Sequence, residues 1–176
     1  MRYLILSLGC LILWGCAKIE EPQTLSSNEV QLPDQEIWDG KIEITKNTQL
    51  QSVVQAGHIQ MFEKQKLTRL DQGVQIDFYD KQGRHTSVLT SERARVEEKI
   101  DLFLAEDNVV VVSDSGAVLR TERLYWDRNG QQIRSDTLVV LTTELDSLRG
   151  YDFEANEDLT SWKLKNPTGQ TFRRRQ

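Results

Sequence analysis

The residues of this chain that could do acid–base, nucleophilic or metal chemistry are dispersed along the sequence. Its two histidines, His58 and His85, lie in separate polar stretches and show neither HxH nor HExxH spacing. The chain contains no GxSxG, SxxK or glycine-rich phosphate motif. Most of its 27 carboxylates fall on the outward phase of predicted strands or in turns, where they solvate the surface. We therefore predict no catalytic residue, no metal site and no cofactor.

Cys16 carries a more specific chemical expectation. It closes the run Leu13-Trp14-Gly15-Cys16, which matches the lipobox of bacterial lipoproteins. A small residue before the cysteine gives the peptidase access to the backbone, and the freed thiol takes a diacylglycerol. Arg2 and the apolar residues 3–14 form a signal peptide that is too short to span a bilayer. We predict a signal over residues 1–15 and a lipid on Cys16; the alternative is an ordinary secretory signal cut elsewhere.

Charge and cysteine usage narrow the class of protein further. The formal net charge is −5 and the pI about 5.2, which leaves no basic field for nucleic acid. Cys10 leaves with the signal and Cys16 is acylated, so neither a disulfide nor a thiolate metal site is expected. The chain over residues 16–36 is polar, contains Pro22 and Pro33 and lacks an apolar period, which predicts a tether.

Beyond the tether, polar and apolar residues alternate as they do in strands with one buried face. Residues 41–45 alternate in this way, and so do residues 73–79, where Val74, Ile76 and Phe78 share one side. The β-branched runs at 109–112 and 138–141 predict further strands. Asn129-Gly130 predicts a hairpin turn.

One stretch, residues 91–104, fits two structures. Helix formers are frequent in it, and Val96 and Ile100 are spaced as on one face of a helix. Its apolar residues nevertheless share one phase of a two-residue period. We predict two short strands with a turn at residues 97–99.

Internal similarity favours a β structure built from hairpins. Leu89–Glu97 aligns with Leu119–Asp127, and Asp107–Val111 falls near Asp136–Val140 in the same order. A fainter copy runs from Ile59 to Val74. Each copy reads as strand, turn and strand, and none could bury its apolar face alone. Stacked hairpins would close one elongated structure; the alternative is chance similarity between alternating sequences.

Several segments, taken in order, resemble the LptC family of lipopolysaccharide export. The most specific is Leu119–Asp127, with its L-x-T-E-x-L-x-W pattern, and the resemblance covers residues 33–169. Many members of the family begin with a transmembrane helix, whereas this chain begins with a cleavable signal and a cysteine. The other matching segments are residues 33–45, Gln55-Ala56-Gly57-His58, Gly73–Tyr79, Asp107–Val111 and Gly150-Tyr151-Asp152-Phe153.

The resemblance implies an all-β fold, an open β-jellyroll or elongated antiparallel β-sandwich, over residues 37–170, followed by a basic tail at 171–176. It implies a periplasmic protein, and the lipid predicted on Cys16 would anchor it at the periplasmic face of the inner membrane. Such a protein relays lipopolysaccharide from the inner-membrane ABC transporter to an LptA-like bridge protein. The runner-up is a related bridge or structural envelope lipoprotein that does not contact the transporter.

A carrier of lipid A acyl chains needs an apolar trough, since each methylene exposed to water costs about 0.8 kcal/mol. The same residues could instead pack on one another as an ordinary core. Strand edges near Ile42 and Ile44 would meet the transporter, and edges near Trp162 and Leu164 would meet the bridge protein. The candidate trough residues are Ile59, Met61, Val74, Ile76, Phe78, Val109, Val111, Leu124, Trp126, Leu138 and Val140.

Overall fold

A computed structural model of the protein describes residues 32–100 and 102–171. The predicted signal peptide, Cys16, most of the tether and the arginines of the basic tail lie outside these residues. The described part is all-β, as predicted, with one 3-10 turn at Glu98–Ile100. No helix within residues 32–100 and 102–171 is long and apolar enough to cross a membrane.

The strands of the described residues form one antiparallel sheet of eleven. Glu36 and Gln35, predicted to end the tether, already belong to the first strand. The strands are β1 Gln35–Lys46, β2 Gln49–Phe62, β3 Leu67–Tyr79, β4 His85–Ser91, β5 Arg93–Glu97, β6 Leu102–Ser113, β7 Val118–Asp127, β8 Gln132–Ser135, β9 Val139–Thr142, β10 Asp146–Asn156 and β11 Trp162–Thr171.

The strands follow one another across the sheet as a meander. β4 and β5 both lie between β3 and β6, and β8 and β9 both lie between β7 and β10. Each of these pairs therefore occupies one place in the strand order and acts as one strand broken in two. We call each such place in the sheet, filled by one long strand or by a broken pair, a row. The predicted strand pair in residues 91–104 is confirmed as β5 and β6 around the 3-10 turn, and Asn129-Gly130 lies in the β7–β8 hairpin as predicted.

A line of irregularities crosses every row of the sheet near its middle. Some rows carry a non-glycine residue with positive φ, such as Gln72 (61°) in β3 and Asp152 (50°) in β10. Others carry a register shift or a break in the strand. Bulges bend a strand and increase its twist. We call this the bend line; its residues are Asp39, Gly57, Gln72, Glu92, Asp107, Glu122, Thr137, Asp152 and Asn166.

The internal repeat is visible at the bend line. The hydroxyl of Ser91 donates to the carbonyl of Arg93 at 3.0 Å, and the hydroxyl of Thr121 donates to the carbonyl of Arg123 at 3.4 Å. Arg93 pairs with Asp107, and Arg123 pairs in the same way with Asp136. The aligned residues thus make equivalent contacts, and the similarity reflects the way in which the rows bend.

Because all rows bend, their apolar faces on both sides of the bend line meet in one core. Trp126 lies near its centre, edge-on to Phe78 at 5.0 Å and to Phe103 at 5.3 Å between ring centroids. Phe153 of β10 is completely buried as well. A single core spans the sheet from β2 to the loop that follows β10.

Candidate functional site

The interior of the bent sheet collects most of the residues predicted to line a trough. They come from β2, β3, β6 and β7, and eight of them are at most 2% exposed. Met61 is half-buried and packs against the same cluster. The structure therefore brings them together, as one packed apolar interior; their contact with lipid stays a prediction. The eight are Ile59, Val74, Ile76, Phe78, Val109, Val111, Leu124 and Trp126.

Leu138 and Val140 lie on the other face, contrary to the predicted phase. Leu138 is 45% exposed, while Val139 and Leu141 fill the interior. A continuous apolar run contains no alternation that could set its phase. The interior falls on odd positions in β9 as it does in β8, where Ile133 is buried, but the break between the two strands prevents the phase of one from being read from the other.

The structure also adds interior residues that were not predicted. Leu89 and Leu119 occupy the same position in the two repeat copies and are both fully buried. The alignment of the copies could therefore have identified them as interior residues. Phe103 lies one residue away from the phase assigned to residues 91–104. The buried additions include Leu70, Leu89, Phe103, Leu119, Ile133, Val139, Leu141, Phe153 and Leu159.

β1 and β11 are the two terminal strands of the sheet, and each pairs with one neighbour within the residues described. The predicted edge residues Ile42, Ile44, Trp162 and Leu164 are half-buried and pack against the core. These side chains anchor the terminal strands. Along the outer edge of each terminal strand the backbone pairs with no other strand of the described residues, and side chains such as Lys41 on β1 are exposed.

One acidic side chain lies at the margin of the apolar interior. Glu157, between β10 and β11, is 9% exposed, and Trp126 donates its indole N–H to the Glu157 carboxylate at 2.5 Å. Burial raises the pKa of Glu157 to about 7, and the nearby charge of Asp158 adds to this, against the hydrogen bond from Trp126. Sequence reasoning missed this residue, since nothing local marks it.

The family described as "Lipopolysaccharide-assembly, LptC-related" matches residues 3–170, nearly the whole chain. The chain belongs to the LptC family. No curated protein matches it in a direct sequence comparison. Membership implies a role in lipopolysaccharide transport in the periplasmic cell envelope, in a family of transport components and not of enzymes.

The two histidines of this LptC-family protein pair separately with carboxylates. His58 Nδ1 lies 3.3 Å from Asp71, under the ring of Trp38, and His85 Nδ1 lies 3.0 Å from Asp114. Within residues 32–100 and 102–171, no group of three or more potential ligands could hold a metal ion.

Proposed function

We propose that this protein accepts lipopolysaccharide from the inner-membrane ABC transporter and passes it to an LptA-like bridge protein. A lipid on Cys16 would hold it at the periplasmic face of the inner membrane. Family membership supports the transport role. The observation that carries the rest is a single apolar interior bounded by two strands whose outer edges are unpaired within the described residues.

The interior suits alkyl chains energetically. Each methylene moved from water into an apolar environment gains about 0.8 kcal/mol. The interior side chains are tightly packed, so a lipid must separate the two halves of the bent sheet. The sheet is continuous through its backbone ladders but folded at the bend line, where its register is already interrupted. As the halves separate, the alkyl chains of lipid A take the place of the side chains that packed across the interior.

Handover would use strand addition at the two terminal strands. An unpaired edge offers N–H and C=O groups to a strand of another protein. We assign the transporter to β1 and the bridge protein to β11. This places the two partners at opposite ends of the strand order, with the apolar interior between them.

The tether fits this arrangement. Fully extended, about 20 residues reach roughly 66 Å. A domain held by a lipid on Cys16 could therefore reach a transporter domain well above the membrane surface. An anchor of this kind would replace the transmembrane helix found in many family members.

Site-specific photo-crosslinking tests lipid binding. We would place p-benzoylphenylalanine at interior Phe78 and Trp126, with outward Tyr125 and Gln75 as matched controls on the same strands. Purified lipopolysaccharide should label the interior positions and leave the controls nearly unlabelled. Equal labelling of both faces would reject an interior binding site.

The same probe at Lys41 and Lys163 tests the partners. Both side chains are exposed on terminal strands. In cells, Lys41 should capture the transporter and Lys163 the bridge protein. The reverse pattern would overturn the assigned polarity. Capture of the bridge protein without the transporter would favour a bridge-type envelope lipoprotein instead.

A further inference from the structure

The connection from β10 to β11, residues 156–161 including the last residue of β10, closes the apolar interior on one side. We call it the β10–β11 loop. Leu159 points into the core and is 2% exposed, with a left-handed backbone (φ 57°) that a leucine adopts only at an energetic cost. The tight packing of its side chain compensates for this cost.

The loop is braced within itself and held by few outside contacts. Asn156 donates its backbone N–H to the carbonyl of Ser161 and accepts the N–H of Ser161 on its side chain. Three polar contacts join it to the rest of the described domain: Trp126 and Gln131 hydrogen-bond to the Glu157 carboxylate, and the Ser87 hydroxyl donates to the carbonyl of Glu157 at 2.7 Å. A segment built in this way can move as a unit.

Glu157 of this loop lines a surface cavity and also hydrogen-bonds to Trp126 in the core. The cavity has a volume of about 280 Å³, and its wall also includes residues of the β3–β4 turn, such as Lys81. In the core, Trp126 is in edge-on contact with Phe78 and Phe103. Moving the β10–β11 loop aside would join this cavity to the interior.

We propose that the β10–β11 loop is a movable stopper, and that the alkyl chains of lipopolysaccharide pass into the interior beside Trp126 when the loop swings out. This route rests on the proposed function, which supplies the lipid. It adds a place of admission and a group that controls it, Glu157.

The charges around Glu157 set the direction of control. Asp127 faces it from the end of β7 and Asp158 from its own loop, while Asp80 and Lys81 belong to the β3–β4 turn across the cavity. With the loop closed, burial disfavours the ionised carboxylate; with the loop open, water solvates it. The closed state therefore holds the proton more tightly. Raising the pH from about 4.5 to about 7 shifts the equilibrium toward the open loop.

The test compares the wild-type domain with Glu157→Gln and Leu159→Asn. The amide introduced by the first variant keeps an oxygen for the Trp126 N–H and carries no charge. The second variant removes the buried side chain and places there a residue that tolerates positive φ. Leu145→Asn, at the exposed turn before β10, is the matched control. Circular dichroism verifies that each variant is folded.

Two quantities are measured between pH 5 and pH 8: hydrogen-exchange protection of residues 156–161, and the capture rate of fluorescently labelled rough lipopolysaccharide. In the wild type and Leu145→Asn, raising the pH from 5 to 8 should lower the hydrogen-exchange protection of residues 156–161. The rate of lipopolysaccharide capture should increase by about tenfold or more over the same range. Glu157→Gln should stay protected and slow at every pH. Leu159→Asn should be unprotected and fast throughout.

Three outcomes would overturn the stopper. One is the same capture rate in all four proteins, which leaves the proposed function standing. Another is an unchanged pH dependence in Glu157→Gln, which would show that Glu157 does not control the loop. The third is capture by none of the proteins while loop protection follows pH as expected; this rejects the proposed function, and with it the lipid route.

Discussion

At the scale of single residues, Glu157 and Asp80 show how environment decides the behaviour of a carboxyl. The backbone N–H of Arg84 holds the pKa of Asp80 below its ordinary value, in an exposed turn that stabilises the charge. Glu157 lies against Trp126, where burial outweighs the hydrogen bonds from Trp126 and Gln131 and raises the pKa to about 7. The first carboxyl supports a turn, and the second is held at the border of an apolar interior.

The pKa of Glu157 predicts a pH-dependent stability. Its folded pKa lies above the ordinary value of 4.5, so its contribution is fully present below pH 4.5 and is lost as pH rises to about 7. We expect the wild type and Glu157→Gln to be about equally stable at pH 4. At pH 8 the free energy of unfolding of the wild type should be lower than that of Glu157→Gln by up to about 3 kcal/mol.

Urea unfolding of both proteins across this range measures that difference. The comparison cancels the titration of groups that the two proteins share. A difference between them that does not change with pH would show that Glu157 keeps an ordinary pKa in the folded protein.

At the scale of elements, the bend line explains how one sheet can enclose its own apolar face. Long strands do not run straight through the sheet. They bend at residues with positive φ, such as Gln72 in β3 and Asp152 in β10. At some rows the bend also needs a residue without a side chain. A Cβ on Gly57 would lie 2.7 Å from the carbonyl oxygen of Gln72, a backbone atom that cannot move without shifting β3.

We therefore predict that Gly57→Ala lowers the free energy of unfolding by about 1–3 kcal/mol, because β2 and β3 must separate locally. Chemical denaturation gives the value. Gln55→Ala, an exposed position on the same strand, is the control and should stay within about 0.5 kcal/mol of wild type. Equal stability of the two variants would mean that the bend tolerates a side chain at Gly57.

At the scale of the whole molecule, the two halves of every row share one core. The sequence offers no disulfide to support this domain, since Cys10 and Cys16 both precede it. Its stability must come from burial, and from rows that each contribute to the same interior. Because the strands share this core, a lipid that entered it would change the packing of many strands together.

A shared core predicts a single cooperative unfolding transition. Far-UV circular dichroism reports on the sheet, and tryptophan fluorescence reports on the core through Trp126 and on the terminal strands through Trp38 and Trp162. The two signals should change at the same denaturant concentration. An earlier fluorescence change would show that a terminal hairpin unfolds independently.

Much of the fold and part of the candidate site could be predicted from local patterns. Alternation places Val74, Ile76 and Phe78 inside because burial with period two is a property of a single strand. The two aligned segments that begin at Leu89 and Leu119 are similar because both bend in the same way at the bend line. The turns at residues 97–99 and 129–130 could also be predicted, because a turn depends on a few consecutive residues.

What the tertiary structure alone decided involves contacts between distant parts of the chain. The face of Leu138 depended on its neighbours across the sheet, because an unbroken apolar run has no phase of its own. The bond between Trp126 and Glu157 joins residues 31 positions apart. Alternation along the chain sets which face of most strands is apolar. The bend in the sheet sets which strands cover that face, because those strands meet in space and not along the chain.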